Sequence, residues 1–154
     1  MKLALGADHR GVGATRLLAD RLRSMNHEVV VVGNMQGEMC DYPDPAWQVG
    51  QMIRKGEADR GVLLCGSGIG MCIAANKVPG VRAALVHDEL TAEMSRSHND
   101  ANVLCLSADL LGQRLIEKIV DVWMTTSFMA GRHERRVKKI TAIEEGRDPA
   151  TSGQ

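Results

Sequence analysis

This chain is short of the materials that several kinds of function require. Aromatic residues make up 3% of it, with one Tyr, one Phe and two Trp, so it has few rings on which bases or sugars could stack. Nineteen basic residues are offset by 19 acidic ones, leaving a formal net charge of zero at pH 7. That balance withholds the basic field of a general nucleic-acid binder. The four cysteines, Cys40, Cys65, Cys72 and Cys105, form no C-x-x-C pair and no zinc-finger spacing. Reduced thiols and no metal are the default. No apolar run approaches the ~18 residues of a membrane span. The opening MKLALGADHR puts an acid and a histidine where a signal peptide would stay apolar. The reading is a cytoplasmic protein with neither nucleic-acid nor membrane partners.

What is present is enough for one domain with a real core: 154 residues, 44% hydrophobic and 25% charged. Nine methionines supply packing volume in place of rings. Apolar runs predict strands over 2–7, 28–32, 61–65, 81–86 and 102–106. Helical patterns fill 11–25, 44–55, 69–77, 88–97, 109–126 and 131–145. Short strands alternating with helices argue for a five-stranded parallel sheet covered on both faces. Residues 1–145 are expected to form the single domain, and 146–154 a loose tail.

In such sheets ligands bind beyond the carboxyl ends of the strands. The first strand delivers Asp8 and His9 to that edge, and the third runs directly into GVLLCGSGIG at 61–70. This stretch is neither G-x-G-x-x-G, since Met71 stands where the last glycine belongs, nor a P-loop, since no Gly-Lys-Ser/Thr follows. It offers backbone amides to a phosphate or a developing oxyanion, or else it is a tight strand-to-helix turn. A deprotonated thiol beside a C–H can act as a base, and Cys65 is placed for that. Cys72 and Cys105, in an alanine-rich helix and an apolar strand, read as packing residues.

His98 lies in SRSHNDAN, just ahead of the fifth strand. A strand of five or six residues is roughly 17–20 Å long, so His98 and Cys65 fall on opposite edges of one sheet. Either a second copy brings its histidine to this cysteine, or His98 merely caps a turn. On a helical wheel of the last helix, Val137, Ile140 and Ile143 define the apolar face, with Arg136 between them and Arg132 alongside. Two inward arginines fit either a bidentate phosphate clamp or structural ion pairs.

The segments GADHRG (6–11), DYPD (41–44), LLCGSGIGMCIAANKVPGVRAAL (63–85), SRSHNDANVLCL (95–106) and GRHERRVKKI (131–140) together resemble the type B ribose-5-phosphate isomerases, a family that includes galactose- and allose-6-phosphate isomerases. The likeness is collinear from about residue 3 to 145. It implies a Rossmann-like three-layer α/β/α sandwich, assembled as a homodimer or dimer of dimers with active sites shared across the interface. The implied reaction is aldose–ketose isomerisation of a phosphorylated sugar, without metal or organic cofactor. Carried over motif by motif, Cys65 is the base between C1 and C2. Ser67 and the amides around Gly66, Gly68 and Gly70 form the oxyanion cradle. The partner's His98 opens the furanose ring, with Asp8 and Asn99 on the sugar hydroxyls. His9, Arg132 and Arg136 hold the phosphate, and Tyr42 lines the pocket. Relatives often carry an arginine just after the fifth strand. Here Asp109 stands there, read as the cap of the next helix, and Arg10 is read as a partial replacement.

The expectation is therefore interconversion of ribose 5-phosphate and ribulose 5-phosphate through an enediolate, a step of the pentose phosphate pathway. The alternatives keep the chemistry on a tetrose 4-phosphate or hexose 6-phosphate, or drop it for a non-catalytic sugar-phosphate sensor.

Overall fold

The computed structural model of the chain describes residues 1–151. Its strands are β1 (Lys2–Ala7), β2 (Glu28–Val32), β3 (Arg60–Cys65), β4 (Ala83–Leu85) and β5 (Val103–Ser107). They form one parallel sheet in the order β2-β1-β3-β5-β4. The helices are α1 (Val12–Ser24), α2 (Pro43–Arg54), α3 (Ile69–Ala75), α4 (Glu89–Ser97), α5 (Gln113–Thr125) and α6 (Arg132–Glu144). This is the expected Rossmann-like α/β sandwich. The strand order reverses between β1 and β3, the switch point beyond which open α/β sheets bind their ligands.

Successive strand residues point to opposite faces, and the two faces are built differently. On one, Leu3, Leu5, Leu64, Leu104 and Leu106 pack against Leu18 and Leu22 of α1 and Ile116, Ile119 and Trp123 of α5. On the other, small residues let α2 and α3 approach closely: Ala4, Cys65 and Cys105 meet Ala46, Val49, Met71 and Ala75. A Cβ on Gly61 would lie 2.6 Å from Val49 Cγ1, so the bare backbone of β3 is what seats α2. Cys65 thus sits on the tightly packed face, 4% exposed.

Two boundaries and one helix face depart most from expectation, each through contacts made outside the element itself. β4 spans three residues instead of six. Asn102 Oδ1 accepts from Arg82 N at 2.8 Å and Asn76 Oδ1 from Ala83 N at 2.9 Å, ending the ladder early. α5 begins at Gln113, not at 109. Residues 108–109 are instead tied to the loop after β3, with Ala108 N on Cys65 O at 2.9 Å and Asp109 N on Gly66 O at 3.1 Å. Asp109 therefore caps no helix. α6 buries His133 and Ala142, whereas Ile140 is 42% and Ile143 60% exposed. The face assigned as inward is turned outward, and Arg132 and Arg136 are exposed with it. The tail includes a single 3-10 turn, Pro149–Thr151, and 152–154 lie outside the described residues. No helix among the described residues is long and apolar enough to cross a membrane.

Candidate active site

The carboxyl edge of the sheet gathers Asp8, His9, Tyr42, Cys65, Ser67 and the glycine loop. Asp8, buried at the end of β1, accepts from Arg10 N at 2.9 Å and Gly11 N at 3.2 Å through Oδ1. One carboxylate oxygen shapes the turn into α1. His9 is half-buried, with Nδ1 3.4 Å from Cys40 O in the loop after β2. Cys65 Sγ accepts from Gly68 N at 3.1 Å. The contact fixes the position of the sulfur at the end of β3. That amide can turn there because Gly68 has φ +77°, and a Cβ would come within 2.6 Å of Leu85 Cδ1 and 2.9 Å of the Leu106 carbonyl carbon. Ser67 Oγ accepts from Ile69 N at 3.3 Å. Tyr42 packs its ring over Gly70, where a Cβ would lie 2.6 Å from Cε2.

Beneath this edge lies a thiol pair that sequence reasoning had put down to packing. The hydrogen bond with Cys105 is the main influence drawing the Cys72 thiol down to about 7, with the Leu85 amide and Asn76 acting the same way against burial. Burial, and then Cys72 itself, push Cys105 up. Cys72 Sγ also lies 3.5 Å from Ala83 O.

The other expected residues sit at the opposite edge. Cys65 pairs with Ser107 at the carboxyl end of β5, and Val103 opens that strand. His98, the C-cap of α4, therefore lies beyond its amino end. The separation inferred from strand length holds within this chain. His98 does not simply cap a turn: its ring stacks on that of His133 with centroids 4.2 Å apart and planes 3° apart. His133 is 4% exposed, and desolvation pushes its imidazole below the usual range, with His98, Arg132 and Arg136 pushing the same way. Arg132 Nε, 3.4 Å from His133 Nε2, points its proton at that ring nitrogen and so suits a neutral ring protonated on Nδ1.

The loop that carries His98 and Asn99 is clamped from behind. Asp100, at φ +46°, accepts from Arg82 Nη2 at 3.0 Å and Arg96 Nη1 at 2.9 Å. Arg96 is buried beside the Trp123 ring and also donates to Ala101 O at 2.7 Å. Arg82 Nε donates to Asn99 O at 3.2 Å. These supports escaped sequence reasoning. The sole signal was an acid four residues after Arg96 in SRSHNDAN, a helical ion-pair spacing. Among the described residues neither Arg132 nor Arg136 pairs with a carboxylate, so structural salt bridges do not account for them. A cleft of about 610 Å³ opens on this side, lined by Ile140 and Ile143 with Lys77, Arg82 and Asn99.

A chain similar to this one is ribose-5-phosphate isomerase B of Escherichia coli, 41% identical over 147 residues covering 96% of this chain and 99% of that one. A ribose-5-phosphate isomerase B structure from Clostridium thermocellum superposes with a TM-score of 0.94 at 45% identity, covering 95% of this chain and 99% of the other. D-erythrulose-4-phosphate isomerase of Pectobacterium atrosepticum is 38% identical over 94% of this chain and 95% of its own length. Fold, motif order and these likenesses define the class: this is an enzyme, an aldose–ketose isomerase of sugar phosphates. A model of the Ribose/Galactose Isomerase family matches residues 3–140, and the chain belongs to that family.

Proposed function

We propose that this isomerase interconverts ribose 5-phosphate and ribulose 5-phosphate, with Cys65 as the base that carries a proton between C1 and C2. The observation that supports this most is the 3.1 Å contact from Gly68 N to Cys65 Sγ at the sheet's carboxyl edge. It holds the sulfur in one position at the edge where an α/β sheet binds ligands. Removing a proton beside a carbonyl builds charge on oxygen, and amides aimed at that oxygen typically contribute a few kcal/mol. With Gly68 N turned onto sulfur and Ile69 N onto Ser67, the cradle falls to the amides of Gly66, Ser67 and Gly70, with the Ser67 hydroxyl. Asp8 keeps one carboxylate oxygen for a sugar hydroxyl, and His9 and Tyr42 line the same edge.

The second half of the site comes from a second copy. The partner's His98 and Asn99 open the ring and hold the sugar, and the partner's Arg132 and Arg136 take the phosphate. The two edges of one chain are too far apart to share a substrate, and the exposed Ile140 and Ile143 give a homodimer apolar surface to cover. No organic cofactor or metal enters the scheme, and the enzyme works in the cytoplasm within pentose phosphate metabolism. Residues 1–145 act as one catalytic domain.

A tetrose 4-phosphate is the second reading. It is favoured by the comparable identity of the erythrulose-4-phosphate isomerase and by Asp109, an acid where the family resemblance implies an arginine. Solvent-deuterium incorporation at C2 of ribose 5-phosphate, followed by NMR, separates the readings. Exchange that vanishes in Cys65→Ala supports the pentose assignment and places the base. No exchange in a folded wild type, with exchange on erythrulose 4-phosphate, shifts the assignment to the tetrose.

A further inference from the structure

Arg10, read from the sequence as a partial replacement for the arginine that relatives carry after the fifth strand, is held in an ion pair at the carboxyl edge. Arg10 Nε donates to Asp109 Oδ2 at 2.7 Å, joining the loop after β1 to the loop after β5. The pair lies directly over the start of the glycine loop. A Cβ on Gly66 would stand 2.9 Å from Asp109 Oδ2, 3.2 Å from Arg10 Cδ and 3.3 Å from Arg10 Nε. The two side chains are 57% and 40% exposed, and an ion pair so open to water adds little stability. Its worth lies in fixing a long side chain in one orientation over Gly66, the residue after Cys65. Asp109 takes the Nε–H alone, and the Nη1 and Nη2 donors have no acceptor among the described residues. That leaves the outer fork of the guanidinium, the part whose geometry matches two oxygens of a phosphate. Asp109, first by hydrogen bond and then by charge, with Asp8 behind it, also holds Arg10 firmly protonated.

We propose that Arg10, braced by Asp109, grips the substrate phosphate from the same protomer that carries Cys65. The inference rests on the reading of the Cys65 loop as the reacting centre. Its consequence is a fixed span within one chain between the group that takes the proton and a group that holds the phosphate. The partner's Arg132 and Arg136 then complete the phosphate site rather than constitute it. Because Asp109 cancels part of the charge, the contribution is the directed fork more than the field, and lysine is a poor substitute.

The test is steady-state kinetics of wild type, Arg10→Met and Arg10→Lys, with inorganic phosphate as a competitive inhibitor. Loss of a charge-assisted pair of hydrogen bonds raises KM about 10- to 100-fold in Arg10→Met, and the phosphate inhibition constant by the same factor. The expected kcat stays within about threefold, since the lost contact is uniform binding. Arg10→Lys falls between the two. Unchanged KM and unchanged phosphate inhibition in Arg10→Met overturn the proposal and leave the pair a structural tie. Should wild type turn over no sugar phosphate, the reading of the site fails separately. Calorimetric titration of wild type and Arg10→Met with inorganic phosphate then still decides the role of Arg10: weaker binding in the variant upholds it, and equal binding overturns it.

Discussion

The two edges of this sheet are finished to different degrees. At the carboxyl edge the polar groups are engaged with one another. Asp8 holds the turn into α1, Gly68 N points at Cys65 Sγ, Ser67 takes Ile69 N, and Asp109 braces Arg10. At the amino edge the support is just as firm, but it stands behind the working groups. Arg82 and Arg96 clamp Asp100, and His133 backs His98. Among the described residues, neither Arg132 nor Arg136 pairs with a carboxylate. On the proposed reading, one edge receives the substrate and a second copy delivers the other edge to it. The two edges are then half-sites, each rigid and incomplete in an opposite sense.

The largest expected effect comes from breaking the finished edge at its sulfur. Cys65→Ala removes the proposed base and is expected to lower kcat by about 10²- to 10⁴-fold, with the melting temperature close to wild type. A drop under tenfold would take the thiol out of the proton-transfer step. Next in size is a reconstitution. Cys65→Ala and His98→Asn proteins, unfolded together and refolded as a mixture, form hybrids in which one site keeps both Cys65 and the partner's His98. With random pairing, half the dimers are hybrids with one good site each, so about a quarter of wild-type activity returns. A mixture no more active than its components would show that the two edges do not work across copies.

A third contrast compares a glycine from each edge. Gly68 and Gly80 both have positive φ, +77° and +84°, so alanine is strained at either. Only at Gly68 does the Cβ also run into Leu85 and the backbone of Leu106, whereas at Gly80 nothing lies within 4 Å. Gly68→Ala is expected to cost about 1–3 kcal/mol more than Gly80→Ala in urea unfolding, the typical penalty of overpacking. Equal losses would mean that the loop after β3 can move aside, and that the Gly68–Cys65 contact is not rigidly held.

Much of this was readable from the chain. The bounds expected for β1 and β2 are those observed, because continuous apolar runs between turn signals leave little choice. The placement of Cys65 followed from the topology, and so did its distance from His98. What could not be read depends on neighbours remote in sequence. At the amino end of β4, the amide side chains of Asn76 and Asn102 take up the backbone N–H groups of Ala83 and Arg82. The start of α5 was displaced by contacts to Cys65 and Gly66. A helical wheel ranks the faces of α6 by composition but cannot know that the rest of the chain covers the His133 side. His133 itself stood unnoticed between Arg132 and Glu134 in a run of charges, where nothing announces burial.

That buried histidine supplies the smallest and most discriminating test of the amino edge. Its imidazole is held below the ordinary range by desolvation first and then by His98, Arg132 and Arg136. The folded state therefore binds a proton at this ring less readily than the unfolded chain, whose value is about 6.5. Where the unfolded chain binds more protons, stability rises with pH. The ring costs nothing well above that value, and stability is lost as pH falls through it toward the lower folded value. His133→Phe keeps an aromatic face for His98 and removes the titration. Wild type should lose more of its melting temperature than His133→Phe between pH 7.5 and 5, by on the order of a few °C. The gap should narrow in added salt, which screens the exposed Arg132 and Arg136. Parallel pH curves for the two proteins would mean that His133 titrates alike folded and unfolded, and that the stack offers His98 a surface but no electrostatic coupling.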